Sequence, residues 1–168
     1  AAGVGKLNPG YWRFTDGDDY WQVLEQAREG LAEFARLGEQ HGVKTCCHMH
    51  SGQCIGSNCA GLMHLIQGFD PALVGAYADF GHMALDGEDV AMGLAMISEF
   101  LSIVGIKDAC DVVQSEGKSP PRQPMFVKLG AGSVNWCRAL GSLHAMNYCG
   151  DLVVHTEYRF AEAIIRQV

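Results

Sequence analysis

The sequence predicts an α/β fold: a (β/α)8 TIM barrel that is incomplete, with about five βα units present, corresponding to strands 4 to 8. Three observations predict it. Short apolar strands alternate regularly with longer amphipathic helices, the pattern of a parallel sheet covered by helices. Polar residues gather at the C-terminal ends of four successive strands: His48 and His50, Asp79 and His82, Lys107 and Asp108, His155 and Glu157. An open doubly wound sheet would concentrate such residues at one switch point, whereas a barrel directs every strand end at a common mouth. Finally, the chain has 168 residues, short of the roughly 250 that a closed barrel typically needs.

The elements follow in order. Gly3 to Trp12 begins as a strand at Val4-Gly5-Lys6-Leu7 and turns at Asn8-Pro9-Gly10; Asp16, Asp18 and Asp19 then offer caps for a helix. From Tyr20 to Gln40, Val23, Leu24, Ala27, Leu31, Phe34, Ala35 and Leu37 recur at helical spacing, and the helix should stop near His41-Gly42. Val43 to His50 is a strand and Ile55 to Phe69 a helix closed by Gly68 and Pro71. Val74 to Phe80 is the next strand, Val90 to Ser102 a helix and Ile103 to Lys107 a strand. Ala109 to Met125 reads as a long polar loop carrying Pro120, Pro121 and Pro124. Val134 to Met146 is a helix, Leu152 to Glu157 a strand, and Phe160 to Gln167 the start of a last helix. Residues 1–168 thus form one partial barrel domain whose first three βα units are expected to be absent. Either the sequence is a piece of a longer chain or the barrel closes on a second copy. The first is preferred, because the sequence starts inside a strand without a methionine and ends within a helix.

Composition narrows the function. The chain is 48% hydrophobic and 18% charged, with no apolar run near the ~20 residues of a membrane span. A net charge of −7 argues against nucleic acid as a partner, since phosphate backbones need clustered Lys and Arg. The seven cysteines are odd in number, and Cys46 and Cys47 would face opposite sides of a strand; buried packing thiols in a reducing, cytoplasmic compartment are expected, not a zinc knuckle at Cys46, Cys47, Cys54 and Cys59. Met83, Met92 and Met96 read as core or loop fillers. The two unpaired parallel edges of a five-stranded sheet favour association, a homo-oligomer included.

Divalent metals that polarise sugar oxygens prefer carboxylate and imidazole ligands on rigid elements. His48, His50, Asp79 and Glu157 are the candidate metal ligands, and His48 and His50 would point to one side of their strand. Lys107 is a candidate to place a cation beside Asp79 and Glu157 or to bind an anionic substrate group. Trp12 and Arg13 are placed to cover substrate, and Gly130, Gly132 and Ser133, just before a helix, to offer N–H groups to a phosphate.

Taken together, Gly42-Val43-Lys44 to His50-Ser51-Gly52, Val74 to His82, Val104-Gly105-Ile106-Lys107-Asp108 and His155-Thr156-Glu157-Tyr158 resemble strands five to eight of the sugar-phosphate isomerase/epimerase (xylose isomerase-like TIM barrel) superfamily, in order. Leu129 to Trp136 is similar to its "LGxGxVDW" loop. The resemblance implies a divalent metal (Mn, Zn or Mg) and a small sugar or polyol substrate, with or without phosphate. It implies isomerisation or epimerisation by metal-assisted proton transfer next to a carbonyl. Glu157 would be the base, Lys107 a catalytic and substrate-binding cation, and His82, the histidine of "D-x-G-H", a substrate contact. The alternatives are a metal-dependent hydrolase or lyase on the same barrel, or a non-catalytic sugar-binding member. Two positions depart from the pattern: the strand-five acid falls on His48 or Gln53, and the strand-seven histidine falls on Gly105.

Overall fold

The computed structural model describes residues 3–113 and 122–157. Five strands form one parallel sheet in the order β1 (Lys6–Leu7), β2 (Lys44–His48), β3 (Val74–Asp79), β4 (Leu101–Ile106) and β7 (Asp151–Val154). The helices α1 (Tyr20–His41), α2 (Cys59–Ile66), α3 (Phe80–Leu85), α4 (Val90–Met96) and α5 (Trp136–Ala145) fill the connections. This is the incomplete barrel that the alternation predicts.

Helix α1 shows why these residues fold as they do. The Asp19 carboxylate accepts from the N–H groups of Trp21 and Gln22, and Leu24, Ala27, Leu31 and Ala35 form one buried stripe. Gly42 ends the helix at φ 66°, and a Cβ on Gly38 would run into the Val43 carbonyl that leads into β2. The outer face of the sheet packs Cys47, Ala76, Ala78 and Val104 against these helices, while Cys46, Tyr77 and Ile103 pack together on the other. All seven cysteines are free, and the adjacent pair does face opposite ways. Burial pushes the Cys47 thiol up to about 12, so it is a packing group. Met83 is buried, but Met92 and Met96 are exposed on α4 and fill nothing.

Three segments depart most from the sequence pattern. The segment expected to be a loop contains an antiparallel pair, β5 (Asp108–Val113) with β6 (Arg122–Val127). Pro124 sits in a strand of a two-stranded ribbon, where a missing N–H is tolerated. Helix α4 stops at Met96, and the apolar run after it enters β4 instead. Helix α3 starts directly at the end of β3, with Asp79 as its N-cap. The helix expected over Phe160 to Gln167 lies outside the described residues.

Lys6 ties the first strand to the last: its Nζ donates to the Ser102 carbonyl at 3.0 Å and pairs with Asp151 at 2.9 Å. Among the described residues no strand pairs with the outer edges, and Leu7 is exposed on β1 and Leu152, Val153 and Val154 on β7. The 168-residue chain taken alone is therefore expected to self-associate. Light scattering after gel filtration should show a species larger than the monomer, and a monodisperse monomer would contradict this. Among the described residues, no helix is long and apolar enough to cross a membrane.

Candidate metal centre

The C-terminal ends of β2, β3, β4 and β7 converge on Asp79. Its side chain is fully buried, and its two oxygens have separate tasks. Oδ1 accepts from the N–H groups of Gly81 at 3.0 Å and His82 at 3.2 Å, which starts α3 and locks the carboxylate. Oδ2 faces three nitrogens: His48 Nε2 at 3.3 Å, His155 Nδ1 at 3.5 Å and Lys107 Nζ at 3.5 Å. Burial alone would raise the Asp79 pKa. The His48 hydrogen bond and the charges of His82 and Lys107 outweigh it and bring the value down to about 2.

His48, Asp79 and His155 each offer one ligand atom, and these atoms lie within 4.8 Å of one another. Among the described residues, His155 Nδ1 is buried with no hydrogen-bond partner, a cost that a bound cation would remove. Two imidazoles and a carboxylate with one nitrogen left over fit a divalent ion, and this donor set suits zinc or manganese better than magnesium.

The other expected ligands stand outside that trio. His50 lies on the same side as His48, their rings 6.0 Å apart with the buried Met49 between them on the outer face, but it is not among the three whose ligand atoms meet. His50 Nδ1 contacts the Ser51 carbonyl at 3.0 Å, and its ring stacks on Tyr11 at 4.0 Å and lies 4.1 Å from His82. Glu157 Oε1 takes His155 Nε2 at 2.8 Å and its Oε2 takes Lys107 Nζ at 3.0 Å. Partial burial would raise the Glu157 pKa, but the Lys107 ammonium more than offsets it and lowers it. Gln53, the other position considered for the strand-five acid, is exposed and donates to Asp16 at 2.6 Å.

Lys107 is almost fully buried between Asp79 and Glu157, with Phe126 of β6 over it at 4.4 Å. His82 is fully buried beneath the same ring and His50, with Nε2 3.3 Å from Lys107 and Nδ1 2.8 Å from Ser51 Oγ. Burial pushes its pKa down to about 3 with help from the Lys107 charge, although Asp79 opposes this. His82 therefore lies beneath the site, tied to Lys107 and Ser51. Trp12 is partly buried, packs its indole against α1 near Gly30, and its carbonyl holds the Ile55 N–H at 2.8 Å. Arg13 is exposed and lies over the Tyr11 ring at 5.1 Å, reaching the mouth through that ring.

The expected phosphate loop is already used. The N–H groups of Gly130 and Gly132 donate to Asp108 Oδ2 at 2.8 and 3.1 Å, and Ser133 N–H donates to the Ala109 carbonyl. Asp108 Oδ1 also accepts from Ala109 and Val134, and Oδ2 from Trp136 Nε1 at 3.1 Å. Its carboxylate thus organises the approach to α5, a role that no spacing in the sequence announces.

Comparison with known proteins agrees with this architecture. Residues 2–167 match the family described as "Xylose isomerase-like TIM barrel". Inosose dehydratase of Halalkalibacterium halodurans is 28% identical over 157 residues, covering 89% of this chain and 50% of its own. Inosose dehydratase of Mesomycoplasma hyopneumoniae is 28% identical over 144 residues, covering 81% and 48%. The chain spans about half the length of the curated relatives it matches. Among solved structures, the IOLI protein with a bound zinc atom aligns with a TM-score of 0.74 at 17% identity, over 93% of this chain and 55% of that one. A D-tagatose 3-epimerase-like protein aligns with a TM-score of 0.71 at 18% identity, over 92% and 55%. At such identities the shared feature is the fold.

Proposed function

Because the chain belongs to the xylose isomerase-like TIM barrel family, we propose that its mouth moves a proton at the carbon beside a carbonyl in a small sugar or polyol. A divalent metal would be held by His48 Nε2, Asp79 Oδ2 and His155 Nδ1. The observation that carries this reading is that cluster, with one buried nitrogen left without a partner. Such a metal, when bound, polarises the carbonyl and so acidifies the neighbouring C–H.

The chain's own residues supply the rest. Lys107 sets a fixed positive charge 3.5 Å from the ligand oxygen of Asp79, where it favours the negative charge that proton removal creates. Glu157 is the proton acceptor: it is the more open of the two carboxylates, and Lys107 holds its Oε2 in place. The carbanion then has two fates. Return of the proton gives isomerisation or epimerisation, and loss of a neighbouring hydroxyl, which takes the proton from Glu157 and leaves as water, gives dehydration. The dehydratase relatives favour the second fate, which makes lyase chemistry a specific second reading.

One experiment separates the fates. Full-length protein loaded with manganese or zinc is incubated in D2O with inosose and a panel of ketoses, followed by NMR. Deuterium appearing beside the carbonyl without loss of water supports isomerase or epimerase chemistry, and loss of water supports the dehydratase. Neither signal with any member of the panel would refute proton transfer.

A further inference from the structure

The end of β7 brings two candidate ligands to the site, His155 and Glu157. The geometry points to His155 as the ligand. We propose that Glu157 is a positioning residue toward the metal, acting through the His155 imidazole, and that Gly105 keeps open the space this arrangement needs. The inference rests on the metal reading above and concerns which atoms meet the ion.

Glu157 is acceptor-only when ionised, and its Oε1 lies 2.8 Å from His155 Nε2. The proton of the neutral imidazole is therefore on Nε2, and the lone pair is on Nδ1. Nδ1 is the buried, unpartnered atom that lies 3.5 Å from Asp79 Oδ2. A carboxylate that takes the far N–H of a ligating histidine fixes both its tautomer and its ring orientation. Both Glu157 oxygens are engaged, one by His155 and one by Lys107.

Gly105 lies on β4, beside β7. A Cβ at this position would come within 2.7 Å of Asp79 Oδ2 and 3.2 Å of the Tyr77 ring. Asp79 cannot yield easily, because its other oxygen is locked to the start of α3. A bare strand position therefore leaves Oδ2 where His48 and His155 both reach it.

The test is zinc titration by calorimetry on the full-length protein, a readout independent of turnover, together with ¹⁵N NMR of its histidines. Wild type should bind one zinc, and the metal-free His155 should show the Nε2–H tautomer. His155→Ala should lose more than the ~10–100-fold in affinity that removal of an outer partner costs. Glu157→Gln, which keeps an acceptor oxygen, should retain affinity within about tenfold, whereas Glu157→Ala should lose about 10–100-fold. Gly105→Ala should weaken binding while His155 keeps its tautomer. Circular dichroism of each variant separates lost folding from lost affinity, and the tautomer needs no substitution at all. Zinc binding by wild type that His155→Ala leaves unchanged, equal losses in Glu157→Gln and Glu157→Ala, or an Nδ1–H tautomer would overturn this inference while leaving a metal site in place. No zinc binding by wild type would overturn the metal reading itself.

Discussion

Asp79→Asn in the full-length protein should lose zinc or manganese affinity by more than about a hundredfold, beyond what loss of an outer partner costs. Turnover should fall by at least about a thousandfold, since both the metal and the local field depend on this carboxylate. Asparagine is the informative replacement. Its carbonyl oxygen can still accept the Gly81 and His82 N–H groups, so the start of α3 survives. What disappears is the negative charge that faces His48, His155 and Lys107. Calorimetry and steady-state rates, with a thermal melt as control, read the two effects separately. An Asp79→Asn protein that bound zinc as tightly as the parent would remove Asp79 from the centre.

Lys107→Met should act in two opposite directions. The metal-free protein should lose about 3 kcal/mol of stability, near the low end for breaking a buried ion pair by removing one partner. Asp79 stays buried after the change, whereas Glu157 is 42% exposed and regains water, which limits the loss. The methionine keeps contact with Phe126 but gives up the cation over that ring. Metal affinity, in contrast, should rise by at least about tenfold, because a like charge beside the ligand oxygen is gone. Turnover should fall by about 10²–10³ if the ammonium stabilises developing negative charge. Denaturant melts with and without zinc test the crossing: the variant should be less stable than wild type without metal and gain more from it. Parallel losses in both states would show that Lys107 is only a structural cation.

Much of this was legible in the sequence because periodicity reports which face a residue takes within a regular element. The five parallel strands, the α1 stripe and the opposite facing of Cys46 and Cys47 follow from it. Asp79 was legible too, since it ends a fully buried strand. The pattern gives the side a residue takes but not the partner it meets there. His50, two residues beyond the end of β2, stacks on Tyr11, while His155, just after β7, approaches Asp79. Asp108 and Phe126 were illegible for another reason. Each acts on groups distant in sequence, Asp108 on the 130–136 segment and Phe126 on Lys107 and His82. Local propensity carries no information on such contacts. Gly105 is legible as a missing side chain, but only the structure shows what a Cβ there would strike.

The central claim is that two imidazoles and one carboxylate from the ends of β2, β3 and β7 hold a single divalent ion. X-ray absorption at the zinc edge, on full-length protein loaded with one zinc, counts imidazole ligands directly through their outer-ring scattering. The arrangement of His48, Asp79 and His155 predicts two histidines at about 2.0–2.1 Å, with oxygen completing the shell. A zinc shell with no histidine or only one, or protein that retains no zinc after gel filtration, would contradict it.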